Sequence, residues 1–176
     1  MATSQRLMLL TLTALASAPL FAKDDAKPAA PAAYAPPAEL SQLAFFEGNW
    51  TCTGTTYANP MGPEHATVAK VKGTKAVGGA WVHVAYDEEK TAANPTPYHA
   101  GVFFGYDAAK KTFVQLCADS FGSYCTQTSS GWKNDEMVFE GNSTMDGNAV
   151  PARDHFTRKG ANELVHSSEM QGEDKK

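Results

Sequence analysis

Two histidines near the C-terminus are the residues whose type and spacing could most readily do chemistry. If the last hairpin turns at Gly160-Ala161, His155 on one strand faces His166 on the next. Opposed residues on one face of an antiparallel pair have Cβ atoms about 4.5–5.5 Å apart, so the two imidazoles could share a metal ion. The spacing supplies no third ligand, and a plain hydrogen-bonded pair of histidines is the alternative interpretation. A metal site at His155 and His166 is therefore one hypothesis.

Three cysteines offer the second possible chemistry: Cys52, Cys117 and Cys125. A three-residue loop at Ser120–Gly122, with its glycine in the left-handed conformation, makes Cys117 face Cys125 across a hairpin. Cross-strand neighbours can meet disulfide geometry, so we predict a Cys117–Cys125 bond that leaves Cys52 over. Pairing of Cys52 with either of the others stays open. None of the three lies in a recognisable Cys-His motif, so no catalytic thiol is expected.

Motifs of the common enzyme classes are missing from the chain. The sequence contains no Gly-x-Ser-x-Gly, no His-Glu-x-x-His and no phosphate-cradling glycine loop. Asp119, Ser120 and Ser123 fall in a predicted hairpin loop, where such side chains usually bond to the nearby backbone. We therefore expect a protein that is not an enzyme.

The N-terminal residues predict export. Arg6 precedes an apolar run over residues 7–16 that is too short to span a bilayer, and small residues follow as far as Ala22. Residues 1–22 are therefore interpreted as a secretory signal peptide, cleaved after Ala22. We expect a periplasmic or secreted protein with no membrane span once this segment is removed.

Residues 23–38 predict a disordered linker rich in proline and alanine, and residues 39–176 a single domain. The formal charge of the whole chain is −4, and loss of Arg6 with the signal makes it −5. No basic stripe is present, which excludes nucleic acid as an expected partner.

The domain predicts an all-β fold after one short helix at residues 39–46. Nine strands are expected near 49–57, 66–76, 80–87, 98–106, 111–119, 123–129, 136–143, 150–158 and 163–170. Tight turns separate them, as at Asp146-Gly147, which indicates an antiparallel up-and-down meander. Closure into a barrel removes the exposed sheet edges. Residues 171–176 predict no further strand, so we expect a gap between the first and last strands.

A barrel of this size can hold one small ligand or can be filled by its own side chains. The aromatic residues that we expect to line such a cavity are Trp50, Trp81, Tyr86, Phe104, Tyr106 and Phe156. The sequence does not decide which parity of each strand faces inward.

The order of motifs resembles a known family. A helical turn leads into Phe-x-Glu-Gly-x-Trp-x-Cys-x-Gly at residues 45–54, and Gly105-Tyr106-Asp107, Ser129-Ser130-Gly131-Trp132 and Arg153-Asp154-x-Phe156-Thr157 follow. Over residues 39–172 the chain is similar to the exported bacterial family called domain of unknown function 1579, which is regarded as lipocalin-like. The resemblance implies a fold and almost no biochemistry.

Lipocalin-like barrels also imply roles for particular residues. The tryptophan that follows Gly48, which is Trp50, would close one barrel end beneath Arg153 or Arg158 through a cation–π contact. More distantly, Gly48, Trp50 and Gly54 resemble the opening of nitrobindin-type haem barrels, although Cys52 replaces a glycine there. That resemblance implies haem iron held by a late histidine, His155 or His166.

Three hypotheses follow for the role of the chain. The leading one is an exported, non-catalytic barrel that binds a small apolar molecule and needs no cofactor. The second is a barrel that binds haem or a metal through His155 and His166. The third is a structural or interaction module whose core is filled.

Overall fold

The structure, a computed structural model, describes residues 35–59 and 62–170. Nine antiparallel strands form one sheet in chain order, which confirms the predicted meander. The strands are β1 (Gly48–Thr56), β2 (His65–Ala76), β3 (Trp81–Glu88), β4 (His99–Asp107), β5 (Thr112–Asp119), β6 (Tyr124–Ser129), β7 (Glu136–Met145), β8 (Asn148–Gly160) and β9 (Glu163–Met170). The predicted signal peptide, and the linker as far as residue 34, lie outside the described residues.

The sheet curves into a half-barrel. Within the described residues β1 and β9 do not pair with each other, so the expected barrel is open along one side. Alternate residues of each strand point to the concave inner face, and their neighbours point outward. Burial follows this alternation most clearly in β6, where Cys125, Gln127 and Ser129 are buried and the residues between them are exposed.

A 3₁₀ helix, Ala38–Phe46, fills one end of the concave face. Its Phe46 ring stacks on Phe104 with 4.6 Å between centroids and meets Phe156 edge-on at 5.1 Å. Leu43 is fully buried in the same cluster. Burying a leucine or phenylalanine side chain stabilises a fold by about 1.5–3 kcal/mol, so this short helix is held by packing and not by its own hydrogen bonds. The buried members of the core are Leu43, Phe46, Val82, Phe104, Phe113, Met137, Phe139 and Phe156.

A glycine on β2 allows the helix to end where it does. A Cβ atom at Gly73 would lie 1.8 Å from the carbonyl oxygen of Phe46. That oxygen belongs to the backbone and cannot move aside as a flexible side chain would. The absence of a side chain at Gly73 is therefore what lets the end of the helix cross β2 so closely.

Two hairpin turns adopt the predicted geometry. Asp146 and Gly147, with φ of 48° and 78°, form a two-residue loop that pairs Met145 with Asn148. Gly122 has φ of 83° in the loop between β5 and β6, where Cys117 pairs with Cys125. The structure joins these two cysteines in a disulfide and leaves Cys52 as a free thiol on β1.

Candidate functional site

The concave face beside the core cluster has an apolar floor that is only partly covered. We call Trp50, Val71, Val84, Tyr86 and Val102 the trough. All five are only partly buried, although they lie on the inner face of the sheet. The strand register makes them neighbours, because Trp50 pairs with Val71, Val71 with Tyr86, and Val84 with Val102. The trough is thus a continuous apolar and aromatic surface over three pairs of adjacent strands.

A buried carboxylate stands on the same inner face. Asp154 on β8 is 8% exposed and accepts hydrogen bonds from Gln115 Nε2 at 2.9 Å and His166 Nε2 at 3.0 Å. Burial alone would raise the pKa of Asp154. The hydrogen bonds from His166, Ser168 and Gln115 and the charge of His166 together outweigh burial and hold that pKa below its usual value. Asp154 is therefore an ionised acceptor within the half-barrel.

Two glutamines form the deepest polar pair of the interior. Gln115 and Gln127 face each other across β5 and β6 and are 3% and 2% exposed. The Oε1 atom of each is buried and has no hydrogen-bond partner among the described residues. A buried acceptor without a partner costs about 1–3 kcal/mol, so the interior holds unused capacity to accept hydrogen bonds. Gln115 lies two residues from Cys117, which pairs with Val102 of the trough.

Two tyrosine rings lie side by side, Tyr86 of the trough and Tyr98 just before β4. The rings of Tyr86 and Tyr98 are 5.9 Å apart, and Tyr98 Oη donates to Asp119 Oδ2 at 3.4 Å. Burial raises the pKa of Tyr86 well above its usual value, and Cys52 adds to the effect. Burial also raises the pKa of Tyr98, and the charge of Asp119 raises it further. Both phenols therefore stay protonated and can donate hydrogen bonds at neutral pH.

Glu88 anchors the loop beyond β3 and does not face the trough as a free group. Its carboxylate, 6% exposed, accepts from Asn94 Nδ2 at 2.6 Å and from the N–H of Tyr98 at 2.7 Å. Burial alone would raise the pKa of Glu88, but these bonds, with those from Thr67 and the charge of His65, lower it overall. This buried acid is occupied in holding the chain between β3 and β4 in place.

The six predicted cavity residues separate into three groups. Trp50 and Tyr86 belong to the trough. Phe104 and Phe156 are core residues packed against Phe46. Tyr106 lies at the same filled end, 5.0 Å from the Phe113 ring. Trp81 was wrongly predicted to face inward. The inward neighbour is Val82, and Trp81 packs over Gly105 on the outer face.

The prediction that His155 faces His166 is wrong by one residue. The last hairpin turns at Ala161-Asn162, and a bulge between Arg158 and Gly160 shifts the register. His166 therefore pairs with Phe156, stacking on its ring at 4.6 Å, while His155 pairs with Ser167. A shift of one residue moves a side chain to the other face of a sheet.

The two histidines consequently have separate partners on opposite faces. His155 Nδ1 bonds to Glu136 on the outer face, and His166 bonds to Asp154 on the inner face, each at 3.0 Å. The shared metal site loses its geometric basis. Over residues 35–59 and 62–170, no cluster of three or more His, Cys, Asp or Glu side chains could hold a metal ion.

The aromatic residue beneath an arginine is Trp132 and not Trp50. The guanidinium of Arg158 lies 3.5 Å from the Trp132 ring centroid and 4.6 Å from that of Phe45. Trp132 Nε1 also donates to the carbonyl of Gln42 at 2.9 Å, which ties this end of the barrel to the helix. Trp50 instead contacts Phe45 at 5.5 Å.

The other two residues with predicted structural roles lie elsewhere. Arg153 is on the outer face, where it pairs with Glu140 at 2.7 Å. Gly48 begins β1 with φ of 114°, a conformation that side chains rarely adopt.

Sequence reasoning missed Gln115, Gln127 and Asp154 as interior residues. Glutamine and aspartate usually lie at the surface, so a sequence pattern predicts an outward position for them even where they face inward. The available signal was the disulfide hairpin itself. Gln115 and Gln127 share the parity of Cys117 and Cys125 on β5 and β6, so all four must lie on one face.

An antiparallel meander with a helix across one end and a partly open interior defines a lipocalin-like class of half-barrel. The family model described as "Protein of unknown function (DUF1579)" matches residues 35–176, and the chain belongs to this family. No protein with a curated description matches the chain. Among the described residues, no helix is long and apolar enough to cross a membrane.

Proposed function

We propose that this chain is a non-catalytic binding protein that holds a small, largely apolar molecule in the trough. The observation that carries the proposal is the partly exposed apolar floor formed by Trp50, Val71, Val84, Tyr86 and Val102 on the inner face. Inner-face apolar residues are ordinarily covered. Trp50 contacts Phe45 of the helix, and Val84 and Val102 pack against the core cluster, yet all three stay partly exposed. Binding sites for small molecules are typically concave, mostly apolar and supplied with a few polar groups.

The polar groups beside the floor suggest what one end of the ligand carries. The unpartnered Oε1 atoms of Gln115 and Gln127 accept hydrogen bonds, and so does the ionised carboxylate of Asp154. A hydroxyl or amine group on an otherwise apolar molecule would satisfy such acceptors. The expected ligand is therefore amphipathic, with its apolar part against the trough and a hydrogen-bond donor toward β5 and β8.

The second candidate function is that of a structural or interaction module whose core is filled by its own side chains. Leu43 and Phe46 support it, because they already occupy the helix end of the interior. The two candidates differ in whether the remaining floor takes up a guest molecule. A shared metal site has no comparable support once His155 and His166 lie on opposite faces. Haem held by one late histidine has less support than the trough, because the inner-face His166 already bonds through Nε2 to Asp154.

Export outside the cytoplasm is part of the proposal. The character of residues 1–22 supports it. The Cys117–Cys125 disulfide supports it as well, because such bonds persist in oxidising compartments.

The experiment is a fluorescence titration with N-phenyl-1-naphthylamine, a neutral apolar probe. Val71→Trp would fill the trough from its middle, between Trp50 and Tyr86. Val68→Trp is the matched control, because Val68 lies on the same strand and the opposite face. We expect saturable binding to the wild type and the control, and a loss of about tenfold or more in affinity for Val71→Trp. Absence of saturable binding to the wild type, or equal affinities for the two variants, would refute the trough as the site.

A further inference from the structure

A groove of about 650 Å³ lies on the outer wall of the half-barrel, opposite the trough. Its floor is the outer face of β7 and β8, including Val138 and His155. The tip of the hairpin between β4 and β5 and the connection between β6 and β7 provide further lining. The volume falls within the range of small-molecule sites, about 300–1,000 Å³. The side chains that bear on the argument are Lys111, Lys133, Thr128, Ser130, Arg153 and His155.

The groove carries an excess of positive charge. Its lining includes four basic side chains, Lys110, Lys111, Lys133 and Arg153, against the two carboxylates Glu136 and Glu140. This contrasts with the chain as a whole, whose formal charge is −4. Net charge of either sign keeps a protein soluble, so solubility does not explain a local patch whose charge is opposite to the net charge.

Ion pairing leaves two of the cations available. Arg153 bonds to Glu140 at 2.7 Å, and Lys110 lies 3.5 Å from Asp107. Lys111 and Lys133 have no carboxylate partner among the described residues. Both are exposed, and both line the groove.

Neutral hydrogen-bonding groups line the groove together with these lysines. The hydroxyl-bearing residues Thr128 and Ser130 are exposed and line the groove. The Thr112 hydroxyl is already donated to the carbonyl of Ser129, at 2.9 Å. In the floor, His155 Nε2 is buried and has no partner among the described residues, while Nδ1 of the same ring bonds to Glu136. The groove thus combines two unpaired cations with hydroxyl groups. Because Glu136 accepts the proton of Nδ1, Nε2 of the neutral His155 ring is an acceptor for a ligand hydroxyl and not a donor to an oxyanion.

We propose that this outer groove binds an oxyanion, a phosphate or carboxylate group carried by a small hydrophilic molecule. Lysine ammonium groups make charge-assisted hydrogen bonds to such oxygens, and hydroxyl groups add directional contacts. No aromatic side chain is among the lining residues, so an apolar guest gains little there. The site is independent of the trough, because the two lie on opposite faces of the same sheet.

The test is isothermal titration calorimetry of the protein with inorganic phosphate, glucose 6-phosphate and glucuronate. The first two probes report on phosphate and the third on carboxylate. The double variant Lys111→Gln/Lys133→Gln removes both unpaired cations. Lys72→Gln/Lys75→Gln on β2 is the matched control, because both lysines are exposed and the change in net charge is the same. Urea unfolding of each variant checks that the fold is retained.

We expect saturable binding of at least one probe to the wild type and to the control. The groove variant should bind it about tenfold more weakly or worse. Two results would overturn the proposal: no saturable binding of any probe to the wild type, or the same weakening in both double variants, which would mean that only net charge matters. Binding of the apolar probe in the trough should be unchanged by the groove variant, so failure here leaves the first proposal intact.

Discussion

Replacing Asp154 with alanine should lower the free energy of unfolding by about 2–4 kcal/mol. The change removes the oxygen acceptor for Gln115 Nε2, whose residue is 3% exposed, and leaves that amide only the weak sulfur acceptor Cys125 Sγ at 3.8 Å. A buried donor without a partner costs about 1–3 kcal/mol. The lost bond from His166 adds about 1 kcal/mol, a small term because that side chain is 45% exposed and water replaces part of the interaction.

A matched pair on the surface separates burial from the bond itself. Asp87 and His99 also lie 3.0 Å apart, but their side chains are 65% and 49% exposed. Asp87→Ala should therefore change the free energy of unfolding by less than about 0.5 kcal/mol. Both variants are measured by urea unfolding at neutral pH. If Asp154→Ala were no more destabilising than Asp87→Ala, the argument that a buried hydrogen-bonded carboxylate organises the interior would be wrong.

Three further outcomes are expected. Stability should fall below about pH 4, because the pKa of Asp154 is lower in the folded than in the unfolded chain, so acid protonates the unfolded chain first. Asp154→Asn should flatten this part of a plot of Tm against pH, and identical profiles for the two proteins would contradict the prediction. Gly73→Ala should cost more than about 2 kcal/mol in urea unfolding by forcing Phe46 aside, whereas Gly54→Ala, with open space around it, should be nearly neutral. Trp132→Phe should lose about 1–2 kcal/mol, since it weakens the cation–π contact and removes the bond to the helix backbone; an unchanged midpoint would refute that role.

The meander and some of its registers could be predicted from the turns. Asp146-Gly147 and the loop ending in Gly122 each demand positive φ at defined positions, so each fixes the pairing of its two strands. The Cys117–Cys125 register follows directly from the second of these loops. Local backbone chemistry was sufficient here because nothing distant competes with it.

The β8–β9 pairing could not be predicted in the same way. Lys159 is an extra residue on β8 between the paired positions Arg158 and Gly160, and the adjacent Gly160-Ala161 indicates a turn and not a bulge. The turn at Ala161-Asn162 moves the predicted register by two residues and the bulge moves it back by one, so His166 meets Phe156 on the inner face and not His155. The hypothesis of a metal site depended entirely on that choice.

The identity of the inward residues was the other limit. Trp81 and Val82 are both suited to an interior, and only the packing of the helix against Val82 selects one of them. The arginine partner was wrong for a related reason: Trp132 lies in the connection after β6, and only the folded chain brings it beneath Arg158. Such choices depend on contacts between residues far apart in sequence.

Among the described residues β1 and β9 share no ladder of backbone hydrogen bonds, and this bears on the size of any ligand in the trough. In a closed cylinder the bore is fixed, because strand number and stagger set the diameter and widening it would break backbone hydrogen bonds. Here the two margins of the sheet can move apart through small changes in twist, with every ladder from β1 to β9 kept intact. Depth, by contrast, is capped by Phe46 seated on Phe104. On the proposed function, the trough should therefore discriminate among ligands by length more strictly than by width.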